Sequence, residues 1–402
     1  ANDESEIERW LLDAALEEQD LPAVLLGFVW RMVSARLPVH RFTLHVGTLH
    51  PELFGYAWTW LIDDEHCDEI RVDEGSISTD AYRLNPISRV IDAGERMRVR
   101  PDSAEAAGSP LMQELAEQGI TDYAAVPLNA AGAYHNAATV ATRQAGGFGR
   151  DEYARIERLL SLFALHVERD IASRIGENIV TTYLGAEAGE QVLRGTIKRG
   201  AGRPIDAIIW ASDLRDFTVL SDRLDDRALT SVLNAYFECL AGAVMGHSGE
   251  VLKFIGDGML AVFPIADFAT PMDATEAALQ AAEAAFDSLD RLNADPNALP
   301  EVAGWRPLRT GIGLHHGEVF FGNVGAPRRL DFTVIGKAVN TASRVQDLCR
   351  PTGKPLLITE PVCELSSRSF GPCGTFELKG LSDPIAVFAP AGSALDRVTS
   401  DA

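Results

Sequence analysis

The stretch Lys253-Phe-Ile-Gly-Asp257-Gly-Met-Leu-Ala-Val-Phe263 sets two apolar runs on either side of a Gly-Asp-Gly turn, the pattern of a tight hairpin. Its tip exposes backbone amides and carries one carboxylate, a setting that suits a hard cation, although an Asp-Gly turn is also the ordinary chemistry of a hairpin. Reading outward, the periodicity gives a strand over Ala207 to Ser212, a helix over Asp226 to Met245, and the hairpin strands Val251 to Ile255 and Met259 to Phe263. A helix over Asp273 to Leu292 follows, then strands over Leu308 to His315, Glu318 to Asn323 and Asp331 to Val334, and a helix over Val339 to Leu348. That order predicts an α+β domain of the split β-α-β kind, with helices on one face of its sheet.

A second carboxylate, Asp213, ends the first of these strands. Alone it reads as a helix cap. If its strand neighbours the hairpin, both carboxylates reach one sheet edge, and two Asp together with substrate phosphates are a common way of holding Mg²⁺. In Asn340-Thr-Ala-Ser-Arg344, the apolar stripe Val339, Ala342 and Val345 leaves Asn340 and Arg344 together on another helix face. A guanidinium suits charge building on phosphoryl oxygens and an amide suits a ribose oxygen, whereas the plain alternative is a solvated helix face.

These residues resemble class III adenylyl/guanylyl cyclase catalytic domains. The resemblance runs from about Ile205 to Val387 and rests on four ordered motifs: Ser-Asp213-Leu-Arg-Asp-Phe-Thr, Glu250-Val-Leu-Lys253-Phe-Ile-Gly-Asp257-Gly, Gly-Ile-Gly-Leu-His-His-Gly317, and Asp-Phe-Thr333-Val-Ile-Gly-Lys-Ala-Val-Asn340-Thr-Ala-Ser-Arg344. It implies a ferredoxin-like domain and a head-to-tail homodimer with sites at the subunit interface. In that arrangement Asp213 and Asp257 of one chain hold two Mg²⁺ (or Mn²⁺), while Lys253, Thr333, Asn340 and Arg344 come from the other. The reaction it implies is attack of the ribose 3′-oxygen of ATP on the α-phosphorus, giving cyclic AMP and pyrophosphate, with positioning and charge neutralisation doing most of the catalysis. His315 and His316 are then structural.

Lys253 only donates, so it matches the acceptor N1 of adenine and opposes the protonated N1 of guanine. Thr333, at the second base-reading position, places the chain with the group that carries Thr there and discriminates less than a carboxylate. Two departures stand out. Leu381, in Phe376-Glu-Leu-Lys379-Gly-Leu381, occupies the place where many members carry a Lys for the terminal phosphates, and Lys337 stands where an acidic or polar residue is common. The other readings of the domain are a catalytically silent module for nucleotide binding or dimerisation and a guanylate cyclase; the complete set of two Asp, Lys, Asn and Arg favours an active enzyme.

The remainder of the chain carries weaker signals. Its 402 residues allow two or three domains, and the net charge of −22 disfavours nucleic acid. The apolar runs Ala23 to Trp30 and Leu159 to Val167 are too short to span a bilayer, which points to a cytoplasmic protein without a membrane span. Five scattered Cys show no metal or disulfide spacing. Helices over Glu6 to Glu18 and Leu21 to Arg36 precede strands Arg41 to Gly47 and Gly55 to Ile62, an acidic loop Asp63 to Glu74, short helices Ile87 to Ala93 and Leu111 to Gln118, and strands Tyr123 to Leu128 and Ala137 to Thr142. Residues Leu21 to Arg169 resemble a GAF domain, an α/β sensor module, by the order of elements and the ending Gly-Phe148-Gly-Arg-Asp-Glu152.

A helix from Asp151 to Ile175 carries the stripe Ile156, Leu160, Phe163, Val167 and Ile171, which either packs on a partner helix or closes its own domain. The expected division is a GAF-like sensor at 1–172 with an unknown small-molecule or redox signal, a helical and Gly-rich linker at 173–204, the cyclase domain at 205–392 and a tail at 393–402.

Overall fold

The strand Gly202–Leu214 alternates two apolar sets, Ile208, Trp210 and Leu214 against Ala207, Ile209 and Ala211, and each set lies in a different core. A strand apolar on both faces requires cover on both, and this sheet has it. The structure is a computed structural model that describes residues 2–13, 17, 18, 20–48, 53–64, 67–106, 108–131, 134–300, 302, 307–378 and 383–391. The chain divides into two units, Ala1–Ile179 and Val180–Ala402.

The N-terminal unit begins with helices α1 (Asn2–Leu12) and α2 (Leu21–Ser34) and strands β1 (Arg41–Gly47), β2 (Leu53–Leu61) and β3 (Cys67–Asp73). Short helices α3 (Glu74–Ile77), α4 (Asp80–Arg83) and α5 (Ile87–Ala93) follow, then β4 (Met97–Val99), α6 (Pro110–Glu117), β5 (Asp122–Ala131), β6 (Tyr134–Thr142) and the long helix α7 (Arg150–Leu184). The six strands form one antiparallel sheet in the order β3-β2-β1-β6-β5-β4. Phe42, Leu44, Trp58 and Trp60 pack on one face against Phe28 of α2 and Phe163 of α7, while α5 and α6 cover the other through Ile87, Val90, Met112 and Leu115.

Two expectations change here. The acidic stretch at 63–74 contains edge strand β3, with Glu69 opposite Trp58 and accepting its indole N–H at 3.1 Å. Charged side chains on an edge strand protect it from further pairing, so its composition resembles that of a loop. The stripe Ile156, Leu160, Phe163, Val167 and Ile171 is buried in this unit's own core, and α7 runs on to Leu184.

In the second unit come α8 (Ala186–Leu193), β7 (Gly202–Leu214), α9 (Phe217–Ser221), α10 (Asp226–Gly246), β8 (Glu250–Ile255), β9 (Gly258–Pro264) and α11 (Pro271–Ala294). These lead to β10 (Thr310–Ala326), β11 (Arg329–Ile335), α12 (Lys337–Thr352), β12 (Leu356–Thr359), α13 (Glu360–Glu364), β13 (Phe370–Phe376) and β14 (Ile385–Pro390). The eight-stranded sheet runs β13-β14-β12-β10-β7-β9-β8, with β11 paired to β10. Its centre, β10-β7-β9-β8, is antiparallel and has the split β-α-β connection.

Helices α10 and α11 pack on Trp210 through Tyr236, Leu240 and Ala282. Against the expectation of one covered face, α12 covers the opposite side through Ala338 and Ala342, joined by Ala188 of α8 inside the stretch expected as a connector. The strands expected at 308–315 and 318–323 are one strand, because His315, His316 and Gly317 stay paired with β7. Helix α10 is long and apolar enough to cross a bilayer by length and composition, although four polar residues interrupt its runs; its Val232, Tyr236, Leu240 and Val244 are buried in this core.

Asp122 closes the N-terminal fold around the start of α7. It accepts from Arg98 Nη2 at 2.7 Å and from the Phe148 amide at 2.9 Å, while Glu152 accepts from the Gly149 amide at 2.7 Å as a helix cap. Asp122→Ala is expected to cost about 2–3 kcal/mol, less than a fully buried pair because Arg98 is 37% exposed. Urea unfolding followed by tryptophan fluorescence checks this, and an unchanged midpoint contradicts it.

Candidate active site

Strands β7 and β9 pair with Asp213 opposite Gly258, which sets Asp213 at its strand end beside the hairpin tip that carries Asp257. The backbone closes the same corner, since Leu214 N donates to Asp257 O at 3.3 Å. A Cβ on Gly258 would meet Ser212 O at 3.0 Å and Asp213 Oδ1 at 3.4 Å, so this close approach favours glycine. The two carboxyls act on each other. Burial, followed by the charge of Asp257, pushes the Asp213 carboxyl up to about 7.

The surroundings tune that pair. Asp347 adds negative charge and Arg215 opposes it. Below, Thr310 Oγ1 donates to Asp213 O at 3.0 Å and lies 2.8 Å from Tyr236 Oη, which fixes the strand end against α10. Sequence reasoning assigned no role to Arg215, Tyr236, Thr310 or Asp347. The available signals were slight: Arg215 lies inside a quoted motif, and Asp347 stands three residues after Arg344, the spacing of neighbours on a helix.

Lys253 lies half-buried on β8, opposite Leu260, and makes no hydrogen bond or ion pair among the described residues. Next to it, Phe254 stacks on Phe237 of α10 with ring centroids 4.3 Å apart. Thr333 lies on β11 opposite Gly322 and is 5% exposed, yet its hydroxyl has no partner. An unmet buried hydroxyl costs about 1–3 kcal/mol, so a ligand group that satisfies it gains accordingly. Strands β8 and β11 touch.

Strand β8 begins at Glu250, which accepts from the Ala188 amide at 3.1 Å in the first turn of α8. Its other carboxyl oxygen is buried without a partner, and burial pushes the group up to about 7.

Asn340 and Arg344 lie on the exposed face of α12, whose other side buries Ala338, Thr341, Ala342 and Val345. Arg344 Nη1 pairs with Asp347 Oδ2 at 3.1 Å. Within one chain no hydrogen bond or ion pair among the described residues joins Asn340 or Arg344 to Asp213 or Asp257. The chain thus brings the two Asp together and leaves the Asn/Arg face open. Lys337 opens α12 and is exposed. His315 Nδ1 lies 2.8 Å from Thr359 Oγ1, and burial pushes its ring down to about 4. Lys379 and Leu381 lie outside the described residues.

Among the described residues no group of three or more His, Cys, Asp or Glu side chains could hold an ion alone. Asp213 and Asp257 supply hard oxygen donors and leave other positions to water or substrate, a division that suits Mg²⁺ and Mn²⁺.

Comparison with known proteins places this geometry. The Adenylate and Guanylate cyclase catalytic domain matches residues 205–388. The adenylate cyclase of Anabaena cylindrica is 34% identical over 166 residues, covering 41% of this chain and 32% of that protein. Adenylate cyclase 1 of Rhizobium meliloti is 31% identical over 185 residues, covering 45% of this chain and 27% of that protein. The chain therefore spans about a third or less of the length of these relatives. Among solved structures, a bacterial light-regulated adenylyl cyclase is 26% identical with TM-score 0.47, over 59% of this chain and 65% of that one. The guanylyl cyclase Cya2 is 31% identical with TM-score 0.41, over 48% of this chain and 94% of that one. With its ordered motifs and split β-α-β sheet, the segment at 205–388 matches the catalytic domain of adenylate and guanylate cyclases.

Proposed function

We propose that this chain is an adenylate cyclase, converting ATP to 3′,5′-cyclic AMP and pyrophosphate at a site completed by a second copy of itself. The observation that carries the reading is the meeting of Asp213 and Asp257, where burial and then the neighbouring charge make one carboxyl resist ionisation near neutral pH. Two divalent ions bound between them and the substrate phosphates would acidify the ribose 3′-hydroxyl and neutralise the departing pyrophosphate. Lys253 donates to adenine N1, and the unpartnered Thr333 hydroxyl accepts from the adenine amino group. Asn340 orients the ribose, and Arg344 receives charge that builds on the phosphoryl oxygens.

The exposed Asn340/Arg344 face, which makes no direct hydrogen bond or ion pair with Asp213 or Asp257 of its own chain, supports a site shared between protomers. The N-terminal unit is the GAF-like sensor in this reading. Helix α7 runs unbroken from Arg150 past the unit boundary to Leu184, which supplies a covalent helical route for regulation.

Incubation of the full chain with Mn²⁺ and ATP or GTP, with product identification, is expected to show cyclic AMP as the main product. Asp257→Ala and Arg344→Ala should each lower turnover by about 10²-fold or more. Mixing the two inactive variants is expected to restore about a quarter of parental activity, because half of the mixed dimers are heterodimers with one intact site. No recovery would overturn the shared site and leave the activity standing, whereas absence of product from the parent would overturn the activity. Lys253→Glu is expected to move selectivity toward GTP by about tenfold or more.

The same pair makes a stability prediction for the metal-free protein. The Asp213 carboxyl titrates near 7 in the fold against 3.8 unfolded, so stability is lost as pH rises between those values. Asp257→Asn in chelator is expected to stabilise the protein at pH 8 by about 1 kcal/mol after discounting for partial exposure, roughly 2–4 °C in melting temperature. The gap should narrow as pH falls toward 3.8 and close below it, where Asp213 is protonated in the folded and the unfolded chain alike. A variant that melts below the parent at pH 8 contradicts this.

A further inference from the structure

The face of the N-terminal sheet turned toward α5 is not filled. A cavity of about 220 Å³ lies there, whereas packed interiors seldom leave room for more than a water molecule. Its floor includes Gly55 and Ala57 of β2, which have little side chain to occupy the space, and its walls include Phe54 of β2 and Ile91 of α5. Ile70 of β3, 55% exposed, also lines it and lies at its rim.

Chemistry narrows the occupant. Among the described residues no Asp, Glu, Lys or Arg lines the cavity, so a phosphate or carboxylate would find no counter-charge in that lining. Two of the polar lining residues are already committed: Tyr82 Oη donates to Asp92 at 3.0 Å, and Asn85 Oδ1 accepts from the Ile87 amide at 3.0 Å. His45 is different. No hydrogen bond joins its ring to another described residue, and burial pushes it down to about 4, so at neutral pH it offers one donor and one acceptor. A cavity of about 150 Å³ accepts benzene, so this one accommodates a larger ring system.

We propose that this cavity binds a neutral, mostly apolar compound of one or two rings bearing a single hydroxyl or carbonyl group that hydrogen-bonds His45. The binding rests on the cavity alone; an effect on catalysis rests in addition on the cyclase reading. A ligand also fits this unit better than a thiol signal, because its one cysteine, Cys67, is pushed up to about 11 by burial and then by the charge of Asp68.

The test titrates the full chain with 2-naphthol, naphthalene and naphthalene-2-sulfonate by calorimetry. The expected order is 2-naphthol tightest, naphthalene at least about tenfold weaker and the sulfonate without binding. Ala57→Leu, which fills the floor, and Ile70→Trp, which blocks the rim from an exposed position, should each weaken 2-naphthol at least tenfold. His45→Leu should bring 2-naphthol and naphthalene to equal affinity. The Ile70 variant keeps the test decisive should the Ala57 variant fail to fold, with circular dichroism as the check. Equal or tighter binding of the sulfonate, no binding of 2-naphthol up to its solubility, or unchanged binding to a folded Ile70→Trp protein would each overturn the proposal. Cyclic AMP formation measured with and without 2-naphthol is a separate readout: loss of product in both arms counts against the cyclase reading, and the binding order alone decides the cavity.

Discussion

Two like charges forced into contact are the constraint around which the catalytic domain is arranged. Left to themselves, Asp213 and Asp257 would separate; the pairing of β7 with β9 prevents it, because Asp213 lies directly opposite the glycine that follows Asp257. Burial, and after it the repulsion, appears as a carboxyl that ionises with difficulty. Holding it there requires a rigid corner, and the domain supplies one: Trp210 packed against α10 and α11, Ile209 packed in the opposite core, and the Tyr236–Thr310 contact beneath the strand end. Stability is lost at the place where binding would recover it.

Placement of the remaining groups follows from the same sheet. Lys253 precedes Asp257 on the hairpin, so the proposed base-reading cation and the proposed metal-binding acid share one short ribbon with little freedom to move apart. Asn340 and Arg344 lie on α12, which covers the opposite face of the sheet, with the guanidinium kept in place by Asp347. One protomer thus presents an acidic corner and an exposed face of amide and guanidinium, which the proposed head-to-tail pair would bring into register.

Much of this was legible in the sequence because the signals were local. A Gly-Asp-Gly turn between apolar runs can scarcely be anything but a hairpin tip, and the i, i+4 spacing of Asn340 and Arg344 fixes them to one helix face. What escaped depended on long-range packing. The run Ala207-Ile-Ile-Trp-Ala is apolar at every position, which already implies cover on both faces, yet the split β-α-β pattern suggested helices on one. The His315-His316-Gly317 segment looked like a break, but continuous pairing with β7 overrides the local preference of these residues. Strand β3 looked like an acidic loop because an edge strand carries its charges outward. The stripe on α7 was read correctly as buried, but periodicity does not say which surface buries it.

Glu250 ties two distant parts of the chain to one strand. Its carboxylate holds the first turn of α8, and three residues further along the same ribbon stands Lys253. A displacement of that helix must either drag the start of the ribbon along or rupture the bond from the Ala188 amide to the Glu250 carboxyl. The segment emerging from the N-terminal half is therefore leashed to the strand that carries Lys253.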